Sequence, residues 1–195
     1  NNFEAYKLIE SWPKWPSKQI NIFGPSGCGK THLVNILSKK LKLLSINAQK
    51  FDEKINNLVE KFDCIVIENY NENINENLLY SFINHVKQYN KIIVINSTKS
   101  LKNFEIDLDD LRSRLNSFLK IKIDLPTDDL IRVIISKTFS DKQIELSSRN
   151  LEFIIKNIER SYDKILKFTK DIDNISLSTG KSININLIKK VLSNE

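Results

Sequence analysis

The chain has 195 residues, 41% hydrophobic and 28% charged, with 30 basic against 24 acidic side chains and a formal net charge of +6. No apolar run approaches the roughly 18 residues of a membrane span, and no charged-then-apolar leader is expected. Its two cysteines, Cys28 and Cys64, lie too far apart to suggest a disulfide framework or a metal cluster, which fits a reducing cytoplasm. The length exceeds the common domain size of about 100–150 residues, so one α/β domain with a small appendage is expected. Lysine is spread along the whole chain, and such diffuse basicity is weak evidence for a nucleic-acid surface.

In chain order, Phe3, Tyr6, Leu8 and Ile9 recur at helical spacing from Asn2 to Glu10. Trp12, Pro13, Trp15 and Pro16 end that helix, and the two tryptophans read as packing aromatics beside proline breakers. Ile20, Ile22 and Phe23 then form a short buried strand, followed by Gly24, Gly29, Lys30 and Thr31 at the G-x-x-x-x-G-K-[ST] spacing. Leu33, Val34, Ile36, Leu37 and Leu41 continue at helical spacing, completing strand, glycine turn and helix. Three of the chain's four glycines, Gly24, Gly27 and Gly29, fall in this one loop.

That chemistry needs those residue types. Backbone N–H groups from about Gly27 to Thr31 can converge on one anion only where side chains leave the approach open, and the next helix adds its positive end. Lys30 can reach the β/γ-phosphates, and the Thr31 hydroxyl can coordinate a phosphate-bound Mg²⁺. The stretch Pro25, Ser26, Gly27, Cys28, Gly29, Lys30, Thr31 and His32 is therefore the candidate site for ADP or ATP. The Cys28 thiol is read as incidental, and the His32 and His85 rings as structural, with no second His or Cys at ligand spacing.

Leu43–Asn47 reads as a second strand and Phe51–Lys61 as a short helix. Cys64, Ile65, Val66 and Ile67 form a continuous apolar strand, the pattern of a parallel sheet covered on both faces, ending in acidic Glu68. An amphipathic helix over Asn75–Tyr89 follows; Ile92–Ile95 is a fourth strand closing on Asn96, Ser97 and Thr98; 108–115 is a short helix holding Arg112 and Arg114; Phe118–Ile123 is a fifth strand. Alternation of five strands with helices predicts a doubly wound α/β fold whose ligands sit at the carboxyl ends of the strands. Beyond Pro126 the pattern is wholly helical: Asp128–Ser140, Ser147–Asn157, Ser161 to about Leu177, and Asn184–Leu192. The expected division is an α/β nucleotide-binding domain over residues 1–125 and a small all-helical lid over 126–195.

Taken together, N-x-x-A at Asn2–Ala5, WPKWP at Trp12–Pro16, GPSGCGKTHL at Gly24–Leu33 and LDDLRSRL at Leu108–Leu115 carry a resemblance end to end. The chain resembles the AAA+ ATPases, a class of P-loop NTPase. Within them it is similar to the bacterial replication-initiator group, DnaA's nucleotide-binding core and above all its short homologue Hda. The resemblance implies an inhibitor of initiation that binds the DNA-loaded sliding clamp through a short N-terminal peptide and triggers ATP hydrolysis by DnaA. That peptide is not in this sequence, which starts at Asn1 and is expected to lack some natural N-terminal residues. No DNA-reading domain is expected after the lid, so any DNA contact is expected to be indirect; no membrane is expected to be involved, and a homo-oligomer is allowed. The alternative is an autonomous AAA+ ATPase, such as a helicase loader or a DnaA-like protein.

The resemblance also assigns positions. Lys30 and Thr31 match the Walker A residues, and Glu68 falls where an Mg²⁺-ligating Asp usually stands. Asn69 falls at the next position, normally a carboxylate that prepares the attacking water; an amide can orient water but cannot take its proton, so unaided hydrolysis is expected to be weak. Thr98 is the best match to the polar sensor, with Asn96 the alternative. Arg114 matches the arginine finger offered to a neighbour's nucleotide, the plain alternative being a surface ion pair with Asp109 or Asp110. Arg112 is read as solvated or partner-facing. The lid's sensor arginine has no clear counterpart: Asp163 stands there, with Lys164 beside it and Arg160 a turn earlier.

Overall fold

The computed structural model describes residues 7, 10–142, 144, 146–179 and 183–193. The expected N-terminal helix and the Asn2–Ala5 motif lie almost wholly outside the described residues. The chain divides into two compact units: one runs to Asp124 apart from Gly27–Gly29, and the other comprises Gly27–Gly29 and the chain from Leu125.

The first unit is a five-stranded parallel sheet. Its strands are β1 (Gln19–Phe23), β2 (Leu43–Asn47), β3 (Cys64–Tyr70), β4 (Ile92–Ser97) and β5 (Leu119–Lys122), in the order β2-β3-β4-β1-β5. All pairings are parallel, with Ile20 opposite Val94 and Leu119, and Ile65 opposite Leu44 and Ile93. Strands β3 and β4, both interior to the sheet, have the least exposed side chains, because helices cover both faces and only apolar runs tolerate that. The helices are α1 (Lys30–Ser38), α2 (Glu76–Gln88) and α3 (Asp109–Asn116). Asn75 caps α2 by accepting from the Leu78 N–H, and Leu79, Phe82, Ile83 and Val86 face the core. The Phe51–Lys61 stretch takes 3₁₀ geometry over Glu53–Lys61, with Asp52 as its cap, so only Ile55 and Val59 are fully buried.

The second unit is all-helical in its long segment: α4 (Asp128–Ser140), α5 (Ser148–Asn157), α6 (Tyr162–Thr179) and α7 (Ile185–Ser193). Thr127 and Ser147 cap α4 and α5 through their hydroxyls. Ile131, Ile135, Phe139, Ile154, Ile165, Phe168, Ile172 and Ile188 supply a separate core from helical spacing. Among the described residues no helix is long and apolar enough to cross a membrane.

Candidate functional site

The glycine loop leaves the carboxyl end of β1, where the Gly24 N–H donates to Ser97 O at 3.2 Å and ties the loop's start to the end of β4. Gly27 and Gly29 hold φ of +73° and +103°, conformations that L side chains rarely adopt. Lys30 turns back over the loop, its Nζ donating to Gly24 O at 2.8 Å and Pro25 O at 2.9 Å. Pro25, Ser26, Thr31 and His32 are exposed, Gly27, Gly29 and Lys30 half-buried, and Cys28 fully buried. The loop thus presents a cation and a hydroxyl, Lys30 and Thr31, on successive residues at the start of α1.

At the end of β3, Glu68 is half-buried and accepts from Asn96 Nδ2 at 2.8 Å. Asn69 is exposed and left-handed at φ +57°, and there the pairing of β3 with β4 shifts register between Ile67 and Tyr70. Asparagine is among the few side-chain-bearing residues that accept this conformation readily. Asn96 is fully buried, and its Oδ1 is one of the buried side-chain atoms with no hydrogen-bond partner, a state that leaves an acceptor unsatisfied. Thr98 lies one residue beyond β4 and is exposed.

Asn21 escaped the sequence reading. It sits in the middle of β1, fully buried, donating to Ile95 O (3.0 Å) and Ser97 Oγ (2.9 Å) and accepting from the Leu101 N–H (3.1 Å). Ser97 Oγ in turn donates to Lys99 O at 2.7 Å. This buried network fixes the end of β4 and so the backbone that carries Asn96. A lone amide between Ile20 and Ile22 was the available signal: a polar side chain in a central strand must find partners.

The third element is α3. Leu111 and Leu115 anchor it in the core. Arg112 is pinned within its own unit, with Nε and Nη2 donating to Ile106 O at 3.0 and 2.6 Å and Nη1 pairing with Asp109 at 2.7 Å. Arg112 is therefore not the free one of the two. No hydrogen bond or ion pair is found for the Arg114 guanidinium among the described residues. The residue is half-buried and lines a pocket of about 270 Å³ with Tyr80, Asp110, Ser113 and Ser117. The ion pair weighed as the plain alternative for Arg114 is made by Arg112 instead. Glu76, also passed over in the sequence, accepts from the Asp107 and Leu108 N–H groups at 3.0 and 2.7 Å and so ties down the backbone that leads into α3, whose N-cap Leu108 has no capping side chain.

In the second unit Arg160 pairs with Asp128 at 2.8 Å, Asp163 is exposed in the first turn of α6, and Lys164 approaches Glu159 at 3.8 Å. Among the described residues no group of three or more His, Cys, Asp or Glu side chains could hold a metal on its own.

No family model matches the chain. It is 28% identical over 229 residues to the chromosomal replication initiator protein DnaA of Borreliella burgdorferi, an alignment covering 98% of this chain and 45% of the relative. Domain III of the Thermotoga maritima replication initiation protein DnaA superposes with a TM-score of 0.77 at 20% identity, over 98% of this chain and 89% of that one. The chain is homologous to DnaA and has an AAA+ fold. AMPPCP-bound DnaA from Aquifex aeolicus superposes with a TM-score of 0.72 at 18% identity, over 88% of this chain and 61% of that one. The chain spans about half the length of the curated DnaA relatives it matches. The shared AAA+ fold accounts for the placement of the glycine loop, Glu68 and Asn96 at the carboxyl ends of neighbouring strands.

Proposed function

We propose that the chain is an Hda-like AAA+ regulator of replication initiation. It binds ADP or ATP with Mg²⁺ and, together with the sliding clamp, stimulates ATP hydrolysis by a DnaA-type initiator by presenting Arg114 to the initiator's nucleotide. The observation that carries this reading is the contrast on α3: Arg112 is fully engaged, while Arg114, two residues on, lines a pocket with no partner for its guanidinium among the described residues. A guanidinium aimed at charge developing on a γ-phosphate is worth about 10³–10⁵ in rate.

Support for nucleotide comes from the loop's composition and from the AMPPCP carried by the Aquifex relative. Thr31 and Glu68 offer two protein oxygens, a donor set that fits Mg²⁺, which keeps waters and phosphate oxygens as its other ligands. Mg²⁺ supplies charge neutralisation on the phosphates when bound. Lys30 binds the phosphates; Asn96, whose Nδ2 donates to Glu68, orients that carboxylate, and the exposed Thr98 hydroxyl is the group that can donate to a phosphate. Asn69 orients water without taking its proton, so the chain's own turnover is slow.

The test combines this protein, an initiator loaded with radiolabelled ATP, and clamp loaded on DNA. Parent protein accelerates phosphate release, and Arg114→Ala does not. Unaided turnover above about 1 s⁻¹ would instead assign an autonomous ATPase. Nucleotide is tested separately by melting: a ligand at 100 times its Kd adds about 2.7 kcal/mol of stability.

A further inference from the structure

We propose that the backbone N–H of Tyr162 holds the glycine loop in its phosphate-facing orientation, which makes Tyr162 a positioning residue for the nucleotide; this rests on the nucleotide reading above. Tyr162 is the first residue of α6, so its N–H has no intrahelical acceptor. It donates to Gly27 O at 2.8 Å, a bond made wholly inside the second unit, which includes the loop's tip. In a trans peptide the C=O and the following N–H point in opposite directions. Drawing Gly27 O toward α6 therefore turns the Cys28 N–H away from that helix. A phosphate cradle needs successive N–H groups turned the same way, and one misdirected peptide removes a donor.

The side chains keep the approach close. A Cβ on Gly27 would collide with Ser161 Oγ, and one on Gly29 would lie 2.9 Å from Tyr162 Cδ2. Glycine is thus needed at both positions for contact as well as for φ. Cys28, between them, is fully buried.

Proline suits the first position of a helix but has no N–H. Tyr162→Pro therefore removes the hydrogen bond, while Tyr162→Ala removes the ring and keeps the bond. With a fluorescent ADP analogue, Tyr162→Pro should bind about 2–10-fold more weakly than Tyr162→Ala, the range of one neutral hydrogen bond. In NMR titrations with pyrophosphate, the Cys28 amide resonance should move downfield in Tyr162→Ala and stay in place in Tyr162→Pro, a signature that a general loss of stability would not produce. Equal affinities, or the same Cys28 shift in both variants, would overturn the proposal and leave nucleotide binding intact. A parent protein that binds no ADP, while Lys30→Ala behaves identically, would overturn the nucleotide reading together with this one.

Should Tyr162→Pro not fold, the parent alone decides. A braced loop keeps Cys28 as slow toward maleimide as Cys64, whose thiol burial pushes up to about 12. Rapid labelling of Cys28 in the parent would overturn the brace.

Discussion

The ends of β3 and β4 and the short helix α3 belong to the same unit but treat their polar groups in opposite ways. At the strand ends almost every group is tied down. Glu68 is held by Asn96, Asn21 makes three hydrogen bonds, and Ser97 both accepts and donates. On the proposed reading, the position beside Glu68 where a base would activate water carries the amide of Asn69. On α3, Arg112 is consumed by Ile106 O and Asp109, whereas Arg114 is left facing a pocket. On that reading, the difference separates a nucleotide site built for binding with little chemistry from an arginine on α3, Arg114, left to act on charge brought by another molecule.

The contrast can be broken most directly at Arg114. Arg114→Ala should lose about 10³–10⁵ of the stimulated phosphate release, measured with saturating initiator, while its ADP affinity and melting point stay at parental values. Undiminished stimulation would end the finger assignment. The opposite region is challenged by Asn69→Asp, since Asp also tolerates the left-handed backbone at φ +57°. Supplying a carboxylate there should raise unaided ATP turnover by up to about 10²–10⁴, read as phosphate release without partner. A flat response would show that the missing base is not what keeps turnover low. Smaller in effect, Lys30→Ala should weaken ADP binding about 10–100-fold by calorimetry, the worth of charge-assisted hydrogen bonds to phosphate.

How far the sequence carried these expectations depended on the range of the interaction. The glycine loop is contiguous and its chemistry dictates its residues, so Gly24 to Thr31 was legible as a unit. The five strands were equally plain, because β3 and β4 are buried on both faces and must be unbroken apolar runs such as Ile65–Ile67 and Ile92–Ile95. Side-chain pairings across the sheet left no local mark. Nothing near Asn96 announces that Glu68, 28 residues away, is its partner, and nothing near Asn21 announces Leu101. By residue type and local pattern alone Arg112 and Arg114 look alike, and only the resemblance singled out Arg114. Only the path of the 106–108 turn decides which one is captured. The 3₁₀ geometry of Glu53–Lys61 was also hidden, since a window of nine residues with apolar groups three and four apart satisfies either helix.

The smallest effect is expected at Glu76, which holds the turn just before the helix that carries Arg114. Its two carboxylate oxygens receive the Asp107 and Leu108 N–H groups, and α3 has no side-chain cap of its own. Negative charge at a helix start is also favourable to the helix dipole. Glu76→Gln replaces one acceptor with a donor that faces a backbone N–H, so one of the two bonds is lost along with the charge. Urea denaturation should show a loss of about 1–2 kcal/mol. Stimulated hydrolysis should fall only a few-fold, because Leu111 and Leu115 still seat the helix in the core while its first turn loosens. A loss of stimulation as large as that of Arg114→Ala would mean that Glu76 itself meets the partner; stability lost with full stimulation would place the aim of Arg114 in the Leu111 and Leu115 packing alone.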